Sequence, residues 1–224
     1  MLKNREVRRM DDARERILSS AKEIFLEQGY RKTTIRQIVG RSGLLIGSIY
    51  HFFENKEDIF RQLFLDVFDR CDAILVRRFG DSASPPFRLA LMCAVMLQAA
   101  DENDNICELY CEGFTLPAVS EQHVLRFERW LAENLGIPRE GGRAYSCTLA
   151  IHGILRAYLA GYGYQRRLAL PDAVRSMTEA SFAVLGYTGA EASEAVARLE
   201  GLREEMFQIA EELAERPLRG TRKG

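Results

Sequence analysis

The chain has 224 residues, 28% of them charged and 47% hydrophobic, with 31 Lys and Arg against 32 Asp and Glu. That near-neutral balance excludes a chain too polar to bury a core, and it excludes general stickiness to polyanions. Five cysteines are odd in number and scattered through helical patterns, so they make no disulfide framework and are expected to be small buried apolar residues.

Charge is segregated along the chain. Residues 1–56 hold 12 Lys and Arg against 7 Asp and Glu, and the remainder holds 19 against 25. A basic end on an acidic body suits DNA contact at one end only. Met1 to Arg9 is basic and polar with no apolar stretch behind it, so no secretory leader is expected, and the cytoplasm is the expected compartment. The longest apolar run, Leu89 to Leu97, is too short to span a bilayer and predicts no membrane partner.

In chain order, Lys3, Arg5, Arg8 and Arg9 come first, an arm able to track a phosphate backbone. From Asp11 to Gln28 the residues Ile17, Ala21, Ile24 and Phe25 share one helical face, and Gly29 supplies a stop. Thr34 followed by Gln37 matches a capping box, and Ile35, Ile38 and Val39 give the next short helix an apolar face. Gly43 permits a sharp turn through positive φ. Ile49, Phe52 and Phe53 repeat the helical spacing, while Ser48, Tyr50 and His51 point elsewhere and can reach phosphate oxygens or base edges. Asn55 and Glu57 open a further helix with Lys56 in its first turn, where dipole and point charge together make a phosphate seat. Two short helices joined by a glycine turn form the layout of a helix-turn-helix DNA reader. A helical hairpin inside an all-α core would satisfy the pair alone; the flanks favour the reader.

The remainder reads as helices throughout, and no strand alternation persists. Lys56 to Phe79 forms a long connector. Pro86 to Ala100 is apolar on nearly all sides and should run through the centre of its domain. Asp104 to Leu116, Pro117 to Leu135, Arg143 to Tyr164, Pro171 to Leu185 and Ala190 to Arg216 follow. The ends, Met1 to Arg9 and Pro217 to Gly224, are expected to be mobile without partners.

Residues from about Ala13 to Phe64 resemble the DNA-binding domain of the tetracycline-repressor (TetR) family. The run Ala21-Lys22-Glu23-Ile24-Phe25, the Gly29-Tyr30 step, Thr33-Thr34-Ile35-Arg36-Gln37-Ile38, and Gly47-Ser48-Ile49-Tyr50-His51-Phe52-Phe53 with Asn55-Lys56-Glu57 match its pattern. The resemblance implies an all-α homodimeric transcriptional regulator, usually a repressor, released from a pseudo-palindromic operator by a small-molecule inducer. It divides the chain into a three-helix DNA-binding domain at 1–55, a helical ligand-binding and dimerisation domain at 56–216, and a basic tail at 217–224. By the same resemblance Thr34, Tyr50, His51 and Lys56 would contact phosphates, while Arg36, Ser48 and Tyr50 would lie nearest the bases. Three residues depart from the pattern. Leu45 stands where a small polar cap is usual and forfeits about 1 kcal/mol of helix-start stabilisation. Ile46 cannot donate to a base edge, though it can touch a thymine methyl. Gly40 weakens its helix by about 1 kcal/mol relative to alanine.

For the inducer, Met92 and Met96 with Leu89 and Cys93 offer a soft lining, joined by Tyr110, Phe114, Phe127 and Trp130. His152 and Arg156, one helical turn apart, could receive an anionic group on a ligand. The plainer reading pairs Arg156 with Glu108 or Glu112, because buried charges are usually paired. Gly153, Ala157 and Gly161 make a small-residue stripe that suits close helix packing, within one subunit or, as the resemblance favours, between two. Cys107 and Cys111 could offer two thiolates to a soft metal or an oxidant, with Cys93, Cys147 or His152 completing a site; ordinary buried cysteine is the simpler reading. No cofactor is implied. Nucleophile-elbow, phosphate-loop and H-E-x-x-H patterns are lacking, so no enzyme is expected. The alternative is a helix-turn-helix fold used for protein interaction, with the apolar Leu45 and Ile46 meeting a partner instead of DNA.

Overall fold

The structure is a computed structural model and describes residues 2–215. The tail at 217–224 lies outside the described residues. Among those described, eleven α-helices and two short 3-10 turns are present and no strand, so the chain is all-α.

The first helix, α1 (Leu2–Lys32), begins well before the expected Asp11, so the segment read as a basic arm is its opening turns. The reason is local: residues 2–28 contain neither glycine nor proline and are mostly good helix formers. Gly29, at φ 81 and ψ 170, breaks the helix where a stop is predicted. Thr33 Oγ1 donates to the freed Gly29 carbonyl at 2.7 Å. The capping box of α2 (Ile35–Ser42) forms as the spacing predicts, with Thr34 and Gln37 exchanging both bonds. Gly43 ends α2 at φ 64. Then α3 (Ile46–Phe52) starts with Leu45 at its cap and no side-chain hydrogen bond there. Ile17, Leu18, Ala21 and Phe25 of α1 bury Ile38 of α2 and Ile49 of α3, with Phe53 closing the small core. Arg41 fastens α2 to α1 through both oxygens of Glu27 at 2.5 and 2.6 Å.

Behind this unit α4 (Lys56–Phe79) leads into the larger body: α5 (Pro85–Glu102), α6 (Asp104–Gly113), α7 (Pro117–Leu135), α8 (Arg143–Gly161), α9 (Leu170–Leu185), α10 (Gly189–Glu200) and α11 (Arg203–Glu215). As its composition predicts, α5 is central, touching α4 and α6 through α11 in turn. The single last helix expected over Ala190–Arg216 is instead two. Gly201 and Leu202 form a turn between them. Packing explains the break: α10 lies on α9 with Val196 and Leu199, whereas α11 lies on α5 and α4 with Met206 and Ile209. One straight helix could not cover both. No helix among the described residues is long and apolar enough to cross a membrane.

Candidate nucleic-acid interface and ligand cavity

The α2–α3 unit turns a continuous polar and apolar edge outward. Thr34, Arg36, Tyr50 and His51 are exposed, and Ser48 is half-buried. Arg36 makes no hydrogen bond or ion pair with the described residues, which leaves its guanidinium available at the surface. His51 stands edge-on to Phe52, with ring centroids 5.0 Å apart. Thr34 is partly committed, since its hydroxyl accepts from Gln37 N and donates to Gln37 Oε1. Lys56 is turned inward: Nζ donates to the Tyr30 carbonyl at 2.8 Å and lies 4.0 Å from the Tyr30 ring centre. Burial lowers its pKa, while the more distant Glu112 and Glu108 raise it. A phosphate at this helix start would therefore meet a lysine with two donors left, beside Glu57 and Asp58 in the same turn.

Leu45 is 80% exposed and Ile46 49% exposed at the start of α3. Since no side chain caps this helix, Leu45→Ser is expected to raise stability by about 1 kcal/mol in urea denaturation. An unchanged midpoint would show that the helix start is satisfied otherwise.

Helix α6 joins this unit to the body. Asn105 Nδ2 donates to Leu26 O at 2.9 Å, Arg31 N to Glu108 Oε1 at 3.0 Å, and Arg31 Nε to Glu112 Oε1 at 2.5 Å. Gly29 is needed here for its positive φ, and an added Cβ, 2.5 Å from the Glu108 carboxylate, would also push that side chain off Arg31 N. These bonds correct the expected pairing of Arg156. Glu108 and Glu112 are held by Arg31 across the domain junction, and Arg156 is exposed on the outer side of α8.

Two adjoining cavities open behind α6. The larger, with about 80 Å³ of free space, lies among α1, α4, α6 and α11, with Phe25, Phe60, Leu63, Ile106 and Leu109 in its wall beside Lys22, Asp66 and Arg70. The smaller is inner, with about 20 Å³ of free space, and Phe68, Cys71, Met92, Met96 and His123 line it. Phe64, Val67 and Tyr110 stand between them, sharing both walls. Of the expected ligand residues, Met92, Met96 and Tyr110 are thus brought together. Phe114 and Phe127 sit behind them, packed on His123 at 5.2 and 6.2 Å between ring centres. Two others are elsewhere. Trp130 donates Nε1 to Asp72 at 3.0 Å with Arg88 over its ring, so its polar edge is satisfied away from the cavity. Arg156 is exposed on α8 whereas His152 is buried, though the Arg156 charge still reaches the His152 ring.

His123 and Phe64 are central to the inner cavity, and motif reading passes over both. The signal was present: His123 falls on the stripe of Val119, Phe127, Trp130 and Leu131, the buried face of α7. Burial pushes the His123 pKa down to about 3, aided by the charges of His152 and Arg126. His152 is pushed down to about 4 by burial and then by Arg156. Both rings are neutral at pH 7.

Cys107 and Cys111 lie one turn apart on α6. The Cys107 thiol donates to the Leu159 carbonyl at 3.6 Å, and the closeness of Cys107, with Arg156 and Arg31 assisting, lowers the pKa of the Cys111 thiol. All five cysteines are free thiols. Among the described residues no three His, Cys, Asp or Glu side chains come together to hold a metal, so Cys93, Cys147 and His152 do not complete the site considered for this pair.

Residues 17–63 match the family described as bacterial regulatory proteins, tetR family. The chain is 51% identical over 49 residues to an uncharacterised helix-turn-helix transcriptional regulator, YxaF of Bacillus subtilis, covering 21% of this chain and 26% of YxaF. It is 30% identical over 101 residues to the transcriptional repressor KstR2 of Rhodococcus jostii, covering 43% of this chain and 48% of KstR2. These matches thus span between a quarter and a half of the relatives' own length. Beyond the N-terminal unit the likeness is one of fold: the crystal structure of RolR with the ligand resorcinol superposes with a TM-score of 0.65 at 19% identity, covering 86% of this chain and 96% of RolR. Residues 17–63 thus match the tetR family of bacterial regulatory proteins, and the chain as a whole shares the fold of RolR.

Proposed function

We propose that the chain is a cytoplasmic, non-enzymatic transcriptional regulator, a repressor that binds a pseudo-palindromic operator as a homodimer and is released by a small organic inducer. The observation that carries the reading is the joining of a surface-directed helix-turn-helix to a cavity-bearing body through one short helix. On α6, Ile106, Leu109 and Tyr110 face the cavities while Glu108 and Glu112 grip Arg31. A ligand that shifts α6 therefore moves the anchor of α1, and binding at one site biases the other. That the like-folded RolR holds resorcinol supports a ligand role for such a cavity.

DNA contacts are assigned to Thr34, Arg36, Ser48, Tyr50, His51 and Lys56. Fluorescence anisotropy with the DNA upstream of the chain's own gene tests the reading. Two charged contacts per subunit, from Arg36 and Lys56, give a dimer about four, so affinity should fall roughly 100-fold between about 50 and about 200 mM salt. Salt-insensitive or undetectable binding would favour the protein-interaction reading that the exposed Leu45 and Ile46 suggest.

The dimer is assigned to α8 and α9. Tyr145, Leu149, Gly153 and Ala157 are exposed along one side of α8, so the small-residue stripe is not used within the subunit. An added Cβ at Gly153 would meet nothing within 4 Å. Gly153→Arg should therefore fold normally yet run as a monomer in light scattering at micromolar concentration. A variant that remains dimeric would remove α8 from the interface.

A further inference from the structure

The inner cavity holds one polar group that the protein leaves without a partner. His123 is 5% exposed and lines the cavity, and its Nδ1 atom has no hydrogen-bond partner. Its surroundings are rings: Phe68 at 5.3 Å, Phe64 and His152 at 5.5 Å and Phe114 at 5.2 Å between centres. The neighbouring His152 already shares a contact with Ser120, Nε2 to Oγ at 3.4 Å. No lysine, arginine or ionised carboxylate lines this chamber.

Those facts select among ligand classes. An anion seated here would lose its water and meet no cation in the chamber's own wall, since Lys22 and Arg70 line only the adjoining cavity, a cost its apolar contacts could not offset. A pure hydrocarbon would gain apolar contact but leave Nδ1 unsatisfied. A hydroxyl both donates and accepts, so it can serve either tautomer of the neutral imidazole. The chamber is narrow, and Met92 and Met96, unbranched and adaptable, are the wall groups able to yield to a guest.

We propose that the inner chamber binds a small neutral molecule with a flat apolar body and a hydroxyl group, the hydroxyl pairing with His123 Nδ1 and the body stacking among Phe64, Phe68 and the two methionines. His123 is on this view the residue that sets ligand specificity. The proposal rests on the reading of the chain as a ligand-responsive regulator only for its consequence, release from DNA; the binding itself stands apart.

Calorimetry of the full chain with three ring-matched probes, phenol, toluene and benzoate, tests it. Phenol should bind about tenfold more tightly than toluene, the value of one hydrogen bond, and benzoate should not bind. In His123→Phe the preference for phenol over toluene should vanish. Nitrogen NMR of the wild-type chain supplies a readout that does not depend on the variant folding: the His123 Nδ1 resonance should move on adding phenol and stay in place with benzoate. Benzoate binding more tightly than phenol, equal affinity for phenol and toluene, no phenol binding at millimolar concentration, or an Nδ1 resonance indifferent to phenol would each overturn the proposal. If phenol binds through His123 while operator affinity is absent or unaffected, the regulator reading fails and the site survives. If salt-sensitive operator binding is found without phenol binding, the reverse holds.

Discussion

Gly113→Ala is expected to destabilise the chain by about 3 kcal/mol, the upper part of the range for overpacking a filled core. For a chain of this size that corresponds to a fall of roughly 6–12 °C in melting temperature, readable by calorimetry. The residue lies in the last turn of α6, where an added Cβ would fall 2.1 Å from the Phe64 ring of α4. The ring cannot simply swing aside. It is held by Phe60 at 5.9 Å, Phe114 at 5.5 Å and His123 at 5.5 Å between centres, and both cavities share it as a wall. The double variant Gly113→Ala with Phe64→Leu should recover part of the loss, because the smaller side chain vacates the space the methyl group needs. A single variant that melts with the parent would show that α6 and α4 are not in the close contact described.

Acid should weaken the fold through the same ring cluster. In the unfolded chain His123 and His152 titrate near 6.5, whereas in the folded chain burial keeps them neutral down to about 3 and about 4. Both folded values are depressed, so the stabilisation from neutral burial is complete above pH 6.5 and is lost as pH falls below it. Two protons taken up only by the unfolded chain amount to a loss of roughly 4 kcal/mol by pH 5, a large share of the stability of an ordinary domain. Urea denaturation at pH 7 and pH 5 measures the difference. His123→Phe, which removes one of the two groups but keeps a ring in the cluster, should lose about half of it. A variant with the parent's full pH dependence would mean that His123 is not held neutral.

The structure also ranks the residues proposed to contact DNA by what they are already doing. Arg36, Tyr50 and His51 are exposed, whereas Thr34 is engaged in its cap and Lys56 in holding Tyr30. Lys56 thus stiffens the junction between α1 and α4 whether or not DNA is present. Arg31 acts at the same junction from the other side. The largely buried break at Gly29–Arg31 is consequently where the N-terminal helices are attached to the body, through bonds to Glu108 and Glu112 of α6.

Local chemistry was enough to place the helix-turn-helix. Thr34 and Gln37 cap α2, Gly43 turns at positive φ, and Leu45 fails to cap α3, each decided by groups within a few residues of one another. The stop at Gly29 and the apolar α5 were likewise legible, because helix periodicity and glycine's freedom at positive φ act locally. What the sequence could not decide were contacts between residues far apart in the chain. Arg31 rather than Arg156 takes Glu108 and Glu112, a pairing across 77 and 81 residues that no spacing rule encodes. Trp130 leaves the expected pocket because Asp72, 58 residues away, satisfies its indole nitrogen. His123, unremarkable as one histidine on an apolar stripe, becomes the unpaired polar atom of the inner cavity only when four aromatic side chains from three other helices close around it. By itself the sequence determined an all-α chain with a helix-turn-helix near its N-terminal end, since capping, helix periodicity and glycine turns depend on neighbouring backbone groups. The anchoring of that reader to the body and the chemistry of the cavity were decided by the tertiary structure alone, because desolvation and charge pairing depend on what the whole fold brings into contact.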